Sequence, residues 1–448
     1  MKRFLKKTAL AVCAIIGLVL ASVLVKVVFN HAMNNGNIIR ESLPTVTTPT
    51  VRPHPATLLA GVAQHTITPT HPVYLGGFSP NRKSTGSHDD LYAKALVIQD
   101  IQGEKIVIVT LDLLGFLKQD ADAVRYEIER RGITSWHNVI IMSTHQHSGP
   151  DPIGIWGHPW TLTSGRNMEY LERVAQNIIA AVEEANANLE SAEFFTSHTE
   201  SWDLCTNKRK AESIDPDVET LFCLRPDGTT IATIVNFSCH PEVLDRYQTL
   251  ISADFPHYIY STTEPIIGGI TFFINGSLGG MVSPSMDSLK DKSHSFGSAE
   301  EIGTRLGYAV IQSYFWKRSL PVNTVSMEQR EFEVPLENGE FRAAIYTGLI
   351  PSGNLHNGNV PTEVSILKIG NLTIATVPGE ILPNLGLAIK DLLPQPRMLW
   401  SLANDEIGYI LTEEDYFDDT YKYERGMSLG SKAGTLVFEH LKKLLRPA

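Results

Sequence analysis

Side chains able to bind a metal or move protons stand directly behind a series of β-branched runs. NVIIMST (138–144) is followed by His145 and His147, TIATIVNFSC (230–239) by His240, and ITFFIN (270–275) by GSLGGMVSP with Ser283; LTIATVP (372–378) leads to Gly379 and Glu380, and RMLWSLAN (397–404) to Tyr409. Histidine, glutamate and tyrosine are borderline and hard donors of the kind zinc accepts when one position must stay open for water. Such a centre suits hydrolysis, because the ion polarises a carbonyl and lowers the pKa of water towards about 7. Taken singly, each group has a plainer reading. His145 and His147 read as turn histidines, CHPEV (239–243) as a core cysteine beside a capping histidine, and PGE (378–380) as a turn whose carboxylate a helix dipole favours. Ser283 reads as a turn serine and Tyr409 as a packed aromatic. They form one centre only if the strands before them converge.

Those strands are KIVIVTLDLLG (105–115), NVIIMST, TIATIVNFS, ITFFIN, LTIATVP and RMLWSLAN, all apolar on both faces as buried strands are. Between them, 168–185 places Leu171, Val174, Ile178 and Val182 on one helical face, 300–314 does the same with Ile302, Leu306, Ala309 and Val310, and a third helical period runs over 382–393. The pattern predicts an α/β fold: a mixed β-sheet core with flanking helices in a single large catalytic domain over 57–448, with the active site at the strand ends.

The 448-residue chain is 43% hydrophobic and 19% charged, an ordinary globular composition. Its formal net charge of −11 and the lack of a basic stripe beyond the extreme N-terminus exclude a nucleic-acid partner. Lys2, Arg3, Lys6 and Lys7 precede TALAVCAIIGLVLASVLV, eighteen residues without a charge. Residues 1–29 are therefore expected to be a membrane anchor with the N-terminus cytoplasmic and the catalytic domain extracytoplasmic; cleavage would make the segment a secretory signal. Residues 30–56, rich in Asn, Thr and Pro, read as a stalk. Of Cys205, Cys223 and Cys239, none forms a CxxC pair; small buried thiols are expected, with a Cys205–Cys223 bridge the alternative. The Asn-x-Ser/Thr matches at Asn236, Asn275 and Asn371 fall in or beside predicted buried strands and are read as chance.

STHQHSGPDP resembles the GTHTHSGP segment of the neutral ceramidases, the neutral/alkaline non-lysosomal zinc amidases that split the N-acyl bond of ceramide. SHDDLYAKALVI, IVIVTLDLLG, NFSCHPEVL, NGSLGGMVSP, VPGE and ANDEIGYILTEEDY resemble further segments of that family and occur in its order, from about residue 58 to residue 430. The resemblance implies one zinc ion bound by His145, His240, Glu380 and Tyr409, with His147 as an active-site histidine close to the metal and Ser283 as a nucleophile or an essential hydrogen-bonding serine. The family's active-site arginine corresponds to Lys208 or Arg209 in CTNKRKAES, and its second tyrosine to Tyr421 or Tyr423 in YFDDTYKYERG. Two departures stand out. The family's C-terminal immunoglobulin-like domain is expected to be missing, and Gly279-Gly280-Met281-Val282-Ser283-Pro284 puts Met281 or Gly280 where the family has a polar side chain beside the serine.

The resulting expectation is a zinc-dependent amidase releasing a fatty acid from ceramide or a similar N-acyl lipid, in which His147 shuttles protons and Tyr421 or Tyr423, with Lys208 or Arg209, stabilises the oxyanion. A membrane tether raises the local concentration of a lipid substrate. Competing readings are a zinc hydrolase of another amide or ester, such as an N-acyl amino acid or a cell-envelope component, and a silent extracellular binding module. No protein partner is legible.

Overall fold

The computed structural model describes residues 2–39, 57–353 and 355–446. Three larger sheets carry the fold. The first runs Val139–Ser143, Lys105–Leu111, Tyr92–Gln99, Leu59–Thr66, Glu190–Ser191; the second Ile270–Asn275, Thr230–Phe237, Asp217–Leu224, Glu193–Glu200, Arg318–Leu320; the third Val325–Pro335, Asn359–Ile369, Leu372–Thr376, Arg397–Trp400.

Side-chain alternation builds the layers. On Lys105–Leu111, Val107 and Val109 face helices Lys118–Arg130 and Met168–Ala187, meeting Val124, Leu171 and Val174. Ile106 and Ile108 face the other way, into a core shared by all three sheets with Ile234, Ile274, Leu367 and Trp400. The outer face of the second sheet packs Phe222 and Phe273 on helices Phe255–Ile267 and Phe296–Tyr314, and the third sheet's packs Ala375 and Leu399 on Pro383–Lys390 and Ala433–Leu444. Because both faces are covered, these strands are apolar throughout, which is why the sequence exposed them.

Each sheet contains one parallel pair that matters for the site: Lys105–Leu111 with Val139–Ser143, Thr230–Phe237 with Ile270–Asn275, and Leu372–Thr376 with Arg397–Trp400. Their carboxyl ends are stitched together. Asn404 N donates to Ile141 O at 2.7 Å, Asn275 Nδ2 to Thr144 O at 2.7 Å, and Ser401 N to Asn275 O at 2.9 Å.

Two expectations change. Cys205 is bridged to Cys239, not to Cys223, and neither is a free thiol. Cys223 points into the inter-sheet core, whereas Cys205 and Cys239 lie in the cluster on the opposite face of the second sheet, so Cys223 cannot reach them. Asn236 and Asn275 are buried in their strands, and Asn371 lies beside the buried strand Leu372–Thr376, exposed in the turn that precedes it. The stretch read as the start of a stalk is not free either: the N-terminal helix runs Lys2–Asn34, and Ile38 is buried in the core of the first sheet. The remainder of that stretch, 40–56, lies outside the described residues.

Candidate metal centre

His145 ends the first parallel pair. Its backbone takes φ +67°, outside the regular strand, with its N–H bonded to Leu113 O at 2.9 Å. His240 ends the second pair, its N–H bonded to Val282 O at 2.9 Å, which ties it to the short strand Val282–Pro284 holding Ser283. Glu380 and Tyr409 end the third pair and are direct partners in a short parallel ladder, Glu380–Ile381 with Tyr409–Ile410. Gly279 lets the serine loop close on this ladder: a Cβ there would lie 2.7 Å from Glu380 O, and its own N–H bonds Ile381 O at 2.8 Å.

All four expected ligands are thus buried at one place. Glu380 Oε2 lies 2.9 Å from His240 Nε2 and 3.3 Å from His145 Nε2. His145 Nδ1 faces Leu114 O at 2.6 Å and His240 Nδ1 faces Val282 O at 2.9 Å. A carbonyl only accepts, so each Nδ1 carries a hydrogen, and each Nε2 faces the carboxylate either as an N–H donor of the imidazolium or as the lone pair of the neutral ring. Two lone pairs and a carboxylate oxygen directed at one point repel unless a proton or a cation stands between them. Backbone carbonyls that fix the tautomer behind metal-binding nitrogens are a recurrent feature of zinc sites.

Other groups carry the same sign. His147 is buried, neither ring nitrogen makes a hydrogen bond among the described residues, and its ring lies with those of His145 and His240 in a cluster whose ligand atoms are all within 4.8 Å of one another. Among the described residues Tyr409 offers its hydroxyl only to Met281 Sδ, at 3.6 Å. Burial pushes the Glu380 carboxyl up, but the neighbouring His145 and His240 outweigh it and hold it well below the usual carboxylate range. Burial, followed by the Glu380 charge, drives the Tyr409 phenol well above its ordinary value, an effect a bound dication would reverse. The donor set therefore fits zinc: two imidazoles in the correct tautomer, a carboxylate and a phenol.

His147 has a built seat. Gly77, at φ +92°, brings backbone so near that a Cβ would lie 2.4 Å from the imidazole Cγ; Phe78 meets the ring edge-on at 5.1 Å; and Arg82 Nη2 donates to His147 O at 2.5 Å. Burial and then the His145 and His240 charges push its pKa well below the usual value.

Ser283 is fully buried and its Oγ donates a short hydrogen bond to Glu242 Oε1. Glu242 in turn lies 3.6 Å from His147 Nδ1 and 3.5 Å from Lys208 Nζ, connecting the serine to both. Sequence reasoning missed Glu242. It stands in CHPEV, two residues after His240. Glu406, also missed, lies in the tyrosine segment with its Oε2 unpartnered.

The two open pairs separate. Lys208 approaches Glu242, whereas Arg209 Nε donates to Glu424 Oε1 at 2.7 Å. Tyr421 is buried beneath Lys210 in the core with Leu382, while Tyr423, half exposed, has its ring centroid 6.1 Å from that of Tyr409.

From His145 and Glu380 a cleft leads outward, its non-atom space, mouth included, about 850 Å³. Apart from Asp405, Glu406 and Gln119 its walls are almost wholly apolar, including Leu114, Trp156, Phe341, Ile345 and Leu355.

Residues 58–265 match the family model described as neutral/alkaline non-lysosomal ceramidase, N-terminal. The chain is 24% identical over 257 residues to neutral ceramidase of Pseudomonas aeruginosa, a match covering 52% of this chain and 38% of that protein. It is 23% identical over 212 residues to neutral ceramidase B of Dictyostelium discoideum, covering 44% of this chain and 30% of the relative. These sequence matches therefore span well under half the length of the relatives. In structure, the P. aeruginosa neutral ceramidase superposes with a TM-score of 0.71 at 19% identity, over 87% of this chain and 74% of that one. A ceramidase complexed with C2 gives 0.72 at 17% identity, over 87% and 75%. Over residues 58–265 the sequence is thus similar to the neutral/alkaline non-lysosomal ceramidases, and the chain has the fold of the P. aeruginosa neutral ceramidase.

Proposed function

We propose that the protein is a zinc-dependent amidase hydrolysing the N-acyl bond of ceramide or a closely similar N-acyl lipid. One observation supports this reading: His145 and Glu380, which adjoin His240 and Tyr409, line the inner end of a cleft whose other walls are mostly apolar, so a long acyl chain and a hydrolytic centre fit one site. His145, His240, Glu380 and Tyr409 would hold the ion, which when bound polarises the scissile carbonyl and activates water. His147, whose ring nitrogens make no hydrogen bond and whose Nδ1 lies 3.6 Å from Glu242, moves the proton from water to the departing amine. Tyr423, beside Tyr409, and Lys208, beside Glu242, would donate to the developing oxyanion. Ser283, oriented by Glu242, holds substrate by hydrogen bonding and is not acylated. The test is release of fatty acid from ceramide by the full chain, with and without a chelator. Activity lost on chelation and restored by zinc is expected; activity indifferent to chelation would exclude the metal role.

The serine's role is separable. Ser283→Ala is expected to lower kcat by about 10–10² while leaving bound zinc stoichiometric, the cost of one or two lost hydrogen bonds in a water-excluded site. Mass spectrometry of quenched wild-type turnover is expected to show no acyl adduct. An adduct on Ser283 would make the serine the nucleophile.

A further inference from the structure

We propose that the surface formed by Trp160, Tyr346 and the carboxyl end of the N-terminal helix rests in the headgroup layer of a lipid bilayer, so that the apolar cleft opens sideways towards lipid. The docking part stands on geometry alone; the substrate route rests on the amidase reading above.

The helix Lys2–Asn34 contains a stretch within Val12–Asn34 that is long and apolar enough to cross a membrane. Its apolar side chains, among them Leu18, Leu24, Val25 and Val28, are exposed and have no protein partner layer. The end of the helix is held differently. Asn30 Nδ2 donates to Leu162 O at 2.7 Å and Thr347 O at 3.1 Å, and Asn34 Nδ2 donates to Gly348 O at 2.6 Å. His31 Nε2 meets Tyr346 O at 3.1 Å, and Ser352 N donates to Asn35 Oδ1 at 2.8 Å. Asn30 and Asn34 are 3% exposed, and Gly348, at φ +70°, admits the helix so closely that a Cβ would lie 2.8 Å from His31 N. A leader destined for removal has no need of such a seat.

This seat fixes distance. Lys26 is the first charge after the apolar run, and four residues of helix rise about 6 Å before Asn30. The headgroup layer on each side of a bilayer is of similar depth, about 5–8 Å. The domain therefore lies against the bilayer surface instead of standing off from it. The residues beside the seat suit that layer. Trp160, two positions from Leu162, is 93% exposed, and Tyr346, adjacent to Thr347, is 64% exposed. Trp and Tyr favour the membrane interface because their rings are apolar and their polar ends remain hydrated. Lys26 and Lys83 line the groove between helix and domain, at the depth where lipid phosphates lie.

The segment that receives the helix also walls the cleft. Tyr346, Thr347, Gly348 and Ser352 hold the helix end, while Phe341, Ile345, Ile350 and Leu355 line the cavity that reaches His145 and Glu380. The cleft mouth is therefore at the membrane side, and an N-acyl lipid would enter from the leaflet without crossing water.

The test uses the full-length protein in phosphatidylcholine nanodiscs whose acyl chains are brominated near the headgroup, read by tryptophan fluorescence. Trp160→Phe is expected to abolish most of the bromine-dependent quenching, and Trp316→Phe, altering a tryptophan 60% exposed on another surface, to leave it. Quenching unchanged in Trp160→Phe, or a mature chain lacking the helix, overturns the docking. For the route, Asn30→Ala combined with Asn34→Ala is expected to slow hydrolysis of bilayer-embedded N-acyl lipid several-fold while sparing the same lipid in detergent micelles. Equal rates from both sources, or equal losses, overturn lateral entry. A wild-type protein inactive on either source refutes the amidase reading and leaves the quenching result to decide the docking.

Discussion

His240→Ala is expected to bring bound zinc well below one per chain and to lower amidase kcat/KM by about 10³ or more, several kcal/mol of Lewis-acid stabilisation at 1.36 kcal/mol per tenfold. The loss exceeds one donor because His240 is fully buried and tied on both sides: Nδ1 to Val282 O, Nε2 to Glu380. Removing the ring leaves the Glu380 carboxylate facing only His145 across a buried gap, and a buried charge without its partner is costly. His147→Ala provides the contrast. It should retain zinc, because His147 makes no hydrogen bond to Glu380 and occupies the site assigned to proton transfer, yet lose about 10²–10⁴ in kcat. Elemental analysis beside kinetics tests both at once. If His147→Ala loses the metal as His240→Ala does, the ion is held by the three-histidine cluster and the assignment of His147 to acid–base work fails.

How the site was legible follows from where its residues sit. Six strands were readable because both faces are buried, and a short continuous apolar run between turn residues is what such burial selects. The residues after them were readable because a strand end must turn, and at three parallel pairs those turns open on one side of the molecule. Convergence itself was not readable. It depends on contacts such as Asn404 N to Ile141 O and Asn275 Nδ2 to Thr144 O, which join residues far apart in sequence through groups that every residue or any asparagine possesses. Glu242 was passed over because a glutamate after His-Pro resembles a solvated turn; only the hydrogen bond from Ser283 distinguishes it. The seat of the N-terminal helix left no pattern either, since Asn30 and Asn34 donate to backbone carbonyls, and an asparagine-rich stretch reads equally well as a linker.

Loss of the Cys205–Cys239 bridge is expected to be the largest single cost to stability outside the centre. The cysteines are 34 positions apart, and closing a loop of that length removes unfolded-chain entropy worth about 4 kcal/mol. Local geometry makes the consequence catalytic as well. Cys205 lies opposite Pro284 in the short ladder that holds Ser283 opposite Thr206, and Cys239 immediately precedes His240. The bridge thus fastens the serine strand to the histidine segment from behind, where Cys239 N is already bonded to Asn275 Oδ1 at 3.1 Å. Such a bond persists in an oxidising compartment. In urea unfolding, a reductant or the double change Cys205→Ala with Cys239→Ala should lower stability by about 2–4 kcal/mol. Cys223→Ala removes only a buried sulfur from the inter-sheet core, so it should cost about 1 kcal/mol and be insensitive to reductant. Activity should fall with bridge loss even in the fully folded range, because Ser283 and His240 no longer share a fixed frame. Equal midpoints with and without reductant would show that the bridge contributes nothing to the fold, and undiminished activity in the folded double variant would show that the serine strand keeps its place without it.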